Sequence, residues 1–175
     1  MNKLLFNSVK RYSVLVVTVL LMCMLFGCGK KDSKELTAYK EDMTTFYNKL
    51  SYYNSEINTI DPEAEDAPAQ LLLIMDQMNE AYKIMAATDV PEEFDSISEI
   101  SKEAAEYMQS ANEYYHLAYD GEFSEENEDL ARQYYERANS RVQVMLQVLH
   151  GEIPEGDNVI VTTQEAGQFS TIGDD

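Results

Sequence analysis

From Leu36 onward the apolar residues recur at intervals of three and four without a miss: Leu36, Tyr39, Met43, Phe46, Leu50, Tyr53, Ile57 and Ile60. A strand would show a period of two. The three-four alternation instead puts every member on one stripe of an α-helix. At a rise of about 1.5 Å per residue that helix is roughly 40 Å long. A stripe of this width has to be buried against other helices, and this demand governs what the chain can fold into.

The following segments meet it. Asp61-Pro62-Glu63-Ala64-Glu65-Asp66-Ala67-Pro68 interrupts the pattern with prolines and acids. A second helix is predicted from about Pro68 to Ala87, burying Leu71, Ile74, Met78, Ala81 and Met85, with Leu72, Met75 and Tyr82 widening the stripe. Pro91 suits the first turn of a third helix, where its missing N–H would have no partner. Glu92 and Glu93 complement that positive helix end. This third helix, about Pro91 to Tyr119, alternates Ile97, Ala104, Ala111 and Ala118 with Ile100, Tyr107 and Tyr114. Small residues allow a neighbour to approach closely while rings fill the space beside it. Asp120-Gly121 ends the segment, and Ser124 is the expected N-cap of a fourth helix with Glu125 and Glu126 in its first turn. Ala131, Tyr135, Ala138, Val142, Met145 and Leu149 form its core face, and Gly151 after His150 fits a left-handed cap.

Four amphipathic segments with short connections predict an all-α fold, an antiparallel four-helix bundle running up-down-up-down over residues 35–151. A three-helix bundle with one bent element is the rival. The pairs Tyr52-Tyr53, Tyr114-Tyr115 and Tyr134-Tyr135 favour four helices, because neighbours about 100° apart widen each apolar stripe. Residues 152–175 are polar and acidic and read as a disordered tail. Within it Val159-Ile160-Val161-Thr162-Thr163 could instead be added as a strand to another chain.

The residues before the first helix differ in kind. Lys3, Lys10 and Arg11 form a positive start, and no acid occurs before Asp32. The run Val14 to Phe26 is apolar except for Thr18. It is too short for a bilayer-spanning helix, which needs roughly 20 residues, and it fits the core of a signal peptide covering residues 1–27. The run ends in Leu25-Phe26-Gly27-Cys28. This resembles the lipobox of bacterial lipoproteins, with an aliphatic residue at −3, a small one at −1, and then the cysteine. The resemblance implies that the Cys28 thiol receives a diacylglycerol and that Cys28 becomes the first residue of the mature chain. It also implies an address on the extracytoplasmic face of the cell membrane, with residues 28–34 as tether. Cys23 follows Met22, which is too large for the cleavage position. An ordinary secretory signal, or an uncleaved anchor with a chance cysteine, is the plainer alternative.

If Cys23 leaves with the leader and Cys28 carries lipid, no thiol remains for a disulfide, a zinc site or a nucleophile. The chain has 13 basic and 32 acidic residues, a formal net charge of −19. The leader holds three basic residues and no acid, so 10 basic against 32 acidic residues remain, a net of −22. Such a surface repels nucleic acid and anionic lipid. Lys30, Lys31 and Lys34 beside the anchor can meet anionic headgroups, or simply keep that juncture soluble.

Few residues invite a chemical reading. Glu113-Tyr114-Tyr115-His116 contains one Glu-x-x-His, the unit that di-iron bundles use twice. Gln147 stands where the second copy, ending at His150, would need its Glu. A seam through Ala111, Tyr114 and Ala118 turns Glu113 and His116 towards solvent, so the simpler reading is a solvated pair. His150 suits a helix C-terminus, where a cation is favoured. The acids at 61–66 and 122–129 lack the ligand spacing and central glycine of a calcium loop. Tyr39, Tyr53, Tyr107, Tyr114 and Tyr135 belong to core seams. Tyr47, Tyr52, Tyr119 and Tyr134 lie off them and read as core-edge residues, with an interface or a sugar platform as the alternative. No phosphate-cradling glycine loop, nucleophile elbow or cofactor motif is present.

The expectation is therefore a non-enzymatic interaction module, without catalytic, metal or cofactor-binding residues, held at the membrane by Cys28 and facing a cationic protein or peptide, or a membrane-protein complex beside it. A small-ligand or metal-binding bundle is the alternative. Replacing Cys28 by Ala is expected to release the body into the medium or periplasm, read by fractionation and immunoblot. A variant that remains membrane-bound would count against lipid anchoring.

Overall fold

A computed structural model of the chain describes residues 33–152. The expected leader (1–27), Cys28, most of the expected tether (28–34) and all but Glu152 of the expected tail (152–175) lie outside the described residues. Within them the protein is all-helical, with no strand: α1 (Lys34–Thr59), α2 (Ala67–Ala86), α3 (Asp95–Tyr119) and α4 (Glu125–Leu149). A 3-10 turn, η1 (Glu92–Phe94), precedes α3.

The helix ends follow local chemistry. The Ser33 hydroxyl accepts the Leu36 N–H at 3.1 Å and opens α1. Asp61 accepts the Glu63 N–H at 3.0 Å, tightening the proline turn after α1. Pro68 lies in the first turn of α2. The third helix begins later than the spacing predicts. Pro91 caps η1 in an extended conformation and the α-helix proper starts at Asp95. Ser124 caps α4 through the Asn127 N–H at 3.4 Å. At the far end Gly151 has φ 71°. Its N–H reaches the Val148 carbonyl, and the Glu152 N–H reaches that of Gln147. This is a Schellman closure, which needs the left-handed backbone that glycine adopts without strain.

All four helices contribute to one hydrophobic core. Leu50, Met75, Met78, Tyr82, Ile97, Met108 and Met145 are its largest fully buried side chains. Burying a side chain of this size contributes about 1.5–3 kcal/mol. The α1 stripe is buried as its spacing requires, except that Tyr53 is only half-buried. In α3 the seam is rotated relative to the expectation. Ser101, Met108, Asn112 and Tyr115 join Ile97, Ala104, Ala111 and Ala118 in the interior, while Ile100, Tyr107 and Tyr114 flank it half-buried. The cause is the approach of α4. Ala104, Ala111 and Ala118 on α3, and Ala131 and Ala138 on α4, are fully enclosed, and α3–α4 is the tightest helix pairing. Tyr107 and Tyr114 lie at the edge of this methyl-lined seam, where Tyr114 and Tyr134 stack at 5.5 Å with planes 5° apart, while the Tyr115 ring is enclosed.

The α1–α4 seam is wider and is crossed by long side chains. The Tyr47 hydroxyl donates to the Val142 carbonyl at 3.4 Å, and the Tyr135 hydroxyl donates to Asn54 Oδ1 at 2.7 Å. From α2 the Tyr82 hydroxyl donates to Asn139 Oδ1 at 3.1 Å, while the Tyr82 ring meets Phe46 edge-on at 5.2 Å.

Extra volume at the methyl-lined seam should force the helices apart. Ala111→Leu is expected to lower unfolding stability by about 1–3 kcal/mol, whereas Ala38→Leu, on the exposed face of α1, should leave it nearly unchanged. Urea denaturation followed by circular dichroism compares the two, and equal midpoints would contradict the tight packing of this seam.

Candidate functional site

The side chains with most chemical potential meet between α2 and the C-terminal half of α3. Asn112, Glu113 and His116 lie on successive turns of α3, Asp120 follows its end, and Asp76 projects from α2. Glu113 is exposed and accepts the Gln109 amide at 2.9 Å. His116 is not a solvated residue like its neighbour. Its side chain is 34% exposed and lies between two carboxylates, with Nε2 3.0 Å from Asp76 Oδ1 and Nδ1 2.8 Å from Asp120 Oδ2. Asp76 Oδ1 also accepts Asn112 Nδ2 at 2.9 Å.

A ring with a carboxylate at each nitrogen can satisfy both only as an imidazolium. Partial burial alone would lower the His116 pKa. The hydrogen bonds to Asp120 and Asp76 and their negative charges outweigh it and raise the pKa above its ordinary 6.5. For Asp76, burial acts upwards, but donation from Asn112 and His116 and the positive charges of His116 and Lys83 bring it below the ordinary carboxylate value. The product is an electrostatic clamp joining α2 to α3. With both nitrogens engaged, the ring has no lone pair to offer as a general base.

Beside the clamp lies an open groove of about 610 Å³, lined by Asn112, Glu113, His116, Leu117, Asp120 and Gly121. Leu117 is 61% exposed there. A second groove of about 400 Å³ runs along α1, lined by Thr37, Lys40, Glu41, Thr44 and Thr45. Its threonine hydroxyls donate back to the carbonyls of Ser33, Lys40 and Glu41 within the same helix.

The other residues singled out by the sequence are engaged elsewhere. Glu128 accepts the Tyr119 hydroxyl at 2.8 Å, and Asp129 pairs with Arg132 at 2.6 Å. Burial raises the Glu128 pKa, opposed by the Tyr119 hydroxyl. His150 takes the C-cap position of α4. Among the described residues no group of three or more His, Cys, Asp or Glu side chains is arranged to hold a metal ion. Tyr47 is buried, Tyr119 and Tyr134 are half-buried and Tyr52 is 57% exposed. On the outer edge of α3 and α4 the Arg137 guanidinium covers the rings of Tyr107 and Tyr134 at 5.9 and 5.4 Å. Nearby, Arg141 grips Glu103 through Nε and a terminal nitrogen at 2.7 and 3.1 Å.

Asp76 and Asn112 escape sequence reasoning. Asp76 is the lone acid in the apolar stretch Leu71–Met78, and Asn112 falls at seam spacing between Met108 and Tyr115. Those two positional oddities are the only local signals, and neither says which helix lies opposite. No family model, curated protein or solved structure matches this chain.

Because the folded His116 pKa is raised, its contribution to stability is complete below the unfolded value of about 6.5 and is lost as pH rises through the folded value. The stability advantage of the wild type over His116→Gln should therefore shrink from acidic to alkaline pH. Urea titrations across that range, with an NMR titration of the ring, give the comparison; an advantage that grows with pH would contradict the clamp.

Proposed function

We propose that this protein is a lipid-anchored, extracytoplasmic interaction module, non-enzymatic, whose acidic helical body receives a cationic protein or peptide close to the membrane. The anchor is a diacylglycerol on Cys28, as the resemblance of Leu25-Phe26-Gly27-Cys28 to a lipobox implies. The body is an antiparallel up-down-up-down bundle. In support, cross-helix partners descend on one helix as they ascend on the other: Tyr47 with Val142 and then Asn54 with Tyr135, and Glu103 with Arg141 and then Tyr119 with Glu128.

The observation that carries the reading is the distribution of charge. The chain has 32 acids for 13 bases, and several of those bases are already consumed internally. Lys102 pairs with Glu99, Arg132 with Asp129 and Arg141 with Glu103. Most carboxylates are left facing outward. A surface of one sign speeds encounter with a partner of the other and disfavours wrong ones. Lipid on Cys28 would confine that encounter to the membrane neighbourhood.

One observation favours a second reading, a small polar ligand between the helices. Tyr39 Oη, Asn79 Oδ1 and Asn112 Oδ1 are buried and have no hydrogen-bond partner among the described residues. Burial also pushes the Tyr39 pKa up to about 12, so the hydroxyl stays protonated and can still donate.

Crosslinking of the lipidated protein in its own membrane at physiological salt is expected to capture a defined basic partner. Its yield should fall as salt is raised, because exposed charges are screened beyond a Debye length of about 8 Å. Capture of nothing, with and without crosslinker, would overturn the proposal.

A further inference from the structure

A second stripe runs along α4 beside its core face. Leu130, Tyr134, Arg137 and Arg141 recur at intervals of four, three and four, so they share one side of the helix. In a chain with 32 acids, none of these four positions is acidic and two are arginine. Arg137 is exposed and the other three are half-buried. Tyr107 and Tyr114 of α3 extend this surface. Tyr114 stacks on Tyr134, and the Arg137 guanidinium lies over the Tyr107 and Tyr134 rings.

Arg137 differs from the other arginines of the helical body. Arg132 pairs with Asp129, and Arg141 with Glu103. Arg137 has no hydrogen bond or ion pair among the described residues, so the N–H donors of its guanidinium are uncommitted. The rings beneath hold the planar group in place, which reduces the entropy lost when it grips a carboxylate through two parallel bonds. Arginine and tyrosine are also enriched among the residues that dominate protein contacts. The fitting occupant is a carboxylate with an apolar group close to it.

Residues 153–175 of the same chain supply both. They follow α4 directly and contain five acids, no base, and Phe169. Reach selects among the acids. Arg137 lies about 22 Å back along the helix from Glu152. Pro154-Glu155-Gly156-Asp157 has the residues of a turn, and a chain that reverses there leaves Glu155 and Asp157 at the far end. Residues 158–165 then span up to about 26 Å, which brings Glu165 level with Arg137. Phe169 arrives about 13 Å further on, level with Leu130. We propose that residues 158–169 lie back along this stripe of their own α4, with the Glu165 carboxylate on Arg137 and the Phe169 ring against Leu130 and Tyr134. The acidic body as a whole repels this segment, but at physiological salt that repulsion is screened beyond about 8 Å, whereas Arg137 and the rings act in contact.

Chymotrypsin provides the test, because Phe169 is the one aromatic residue in 153–175 and cleavage after it releases Ser170–Asp175. Mass spectrometry follows that release from the full-length protein, solubilised in detergent at about 0.15 M salt, and from a synthetic peptide of residues 153–175. Docking is expected to slow release from the full chain about tenfold relative to the peptide. Arg137→Glu and Glu165→Lys should each bring the rate to within about twofold of the peptide, and the two together, which exchange the charges, should restore most of the protection. Arg132→Gln, an arginine off the stripe, should leave the rate at its wild-type value. Unchanged urea midpoints establish that each variant is folded. The proposal is overturned if the wild type releases the fragment as fast as the peptide, if Arg137→Glu stays protected, if Arg132→Gln loses as much protection as Arg137→Glu, or if the exchanged pair fails to regain it. Protection that fades on dilution overturns it as well, since the segment would then lie on a second copy of the chain.

Discussion

The contact between α3 and α4 is the constraint to which the rest of the fold adjusts. Alanine at 104, 111 and 118 on one helix and at 131 and 138 on the other lets two backbones approach with only methyl groups between them. Such a seam costs no side-chain entropy, and it determines where volume can go. Tyr107, Tyr114 and Tyr134 are expelled to its outer edge and stack there, while Met108 and Met145 turn inward. On the opposite side of the core α1 stands further from α4, and tyrosine spans the gap. A phenol ring supplies apolar length and ends in a hydroxyl that can bond a carbonyl or amide on the far helix. Tyr47, Tyr82 and Tyr135 all do this. The abundance of tyrosine in a chain without tryptophan thus has a structural use in spacing the wider seams.

Packing of this kind leaves a problem of specificity. Much of the interior is methionine: Met43, Met75, Met78, Met85, Met108 and Met145. Methionine fills irregular space well but selects weakly among alternative helix registers, because its flexible chain adapts to each. The polar bonds across the interior discriminate where methionine does not. Asn54 with Tyr135, Tyr82 with Asn139 and Asn112 with Asp76 each link two helices at one height. A shift by one turn would part the buried Asn54, Tyr82 and Asn112 from these partners, and each such loss at a buried group costs about 1–3 kcal/mol. Specificity from buried polar groups is familiar in coiled coils, where one asparagine can fix register.

How much of this is legible in the chain depends on whether the information is local. Helix existence, the cap at Ser124, the Gly151 closure and the α1 stripe follow from spacing within a few residues, and all are found. The alternation of alanine with large residues in α3 correctly signals a close neighbour. The shift of one half of that seam, from Ile100, Tyr107 and Tyr114 to Ser101, Met108 and Tyr115, is not legible, because Tyr114 and Tyr115 are equally good candidates for the interior until α4 is placed. That shift brings Asn112 inward and carries His116 from the expected solvent face to the α2 boundary. Asp76 is then the decisive partner, and no spacing rule connects position 76 to position 116. The start of α3 differs for a local reason. Pro91 adopts an extended backbone and η1 intervenes before the helix begins.

Charge and clamp belong to the same balance. A body with a large excess of carboxylates repels itself, and the only cysteines of the chain lie at positions 23 and 28, outside the helical body. Attachment between helices therefore falls to the core and to a few opposite-charge contacts placed where two helices meet. Arg141 with Glu103 joins α4 to α3, and His116 with Asp76 joins α3 to α2. These pairs are partly shielded, so they resist salt better than pairs standing in solvent. They also draw cations out of an already small supply and direct them inward. The same placement that holds an acidic bundle together deepens the negative charge of its outer face. An outer surface dominated by carboxylates is a consequence of how this sequence keeps its helices joined.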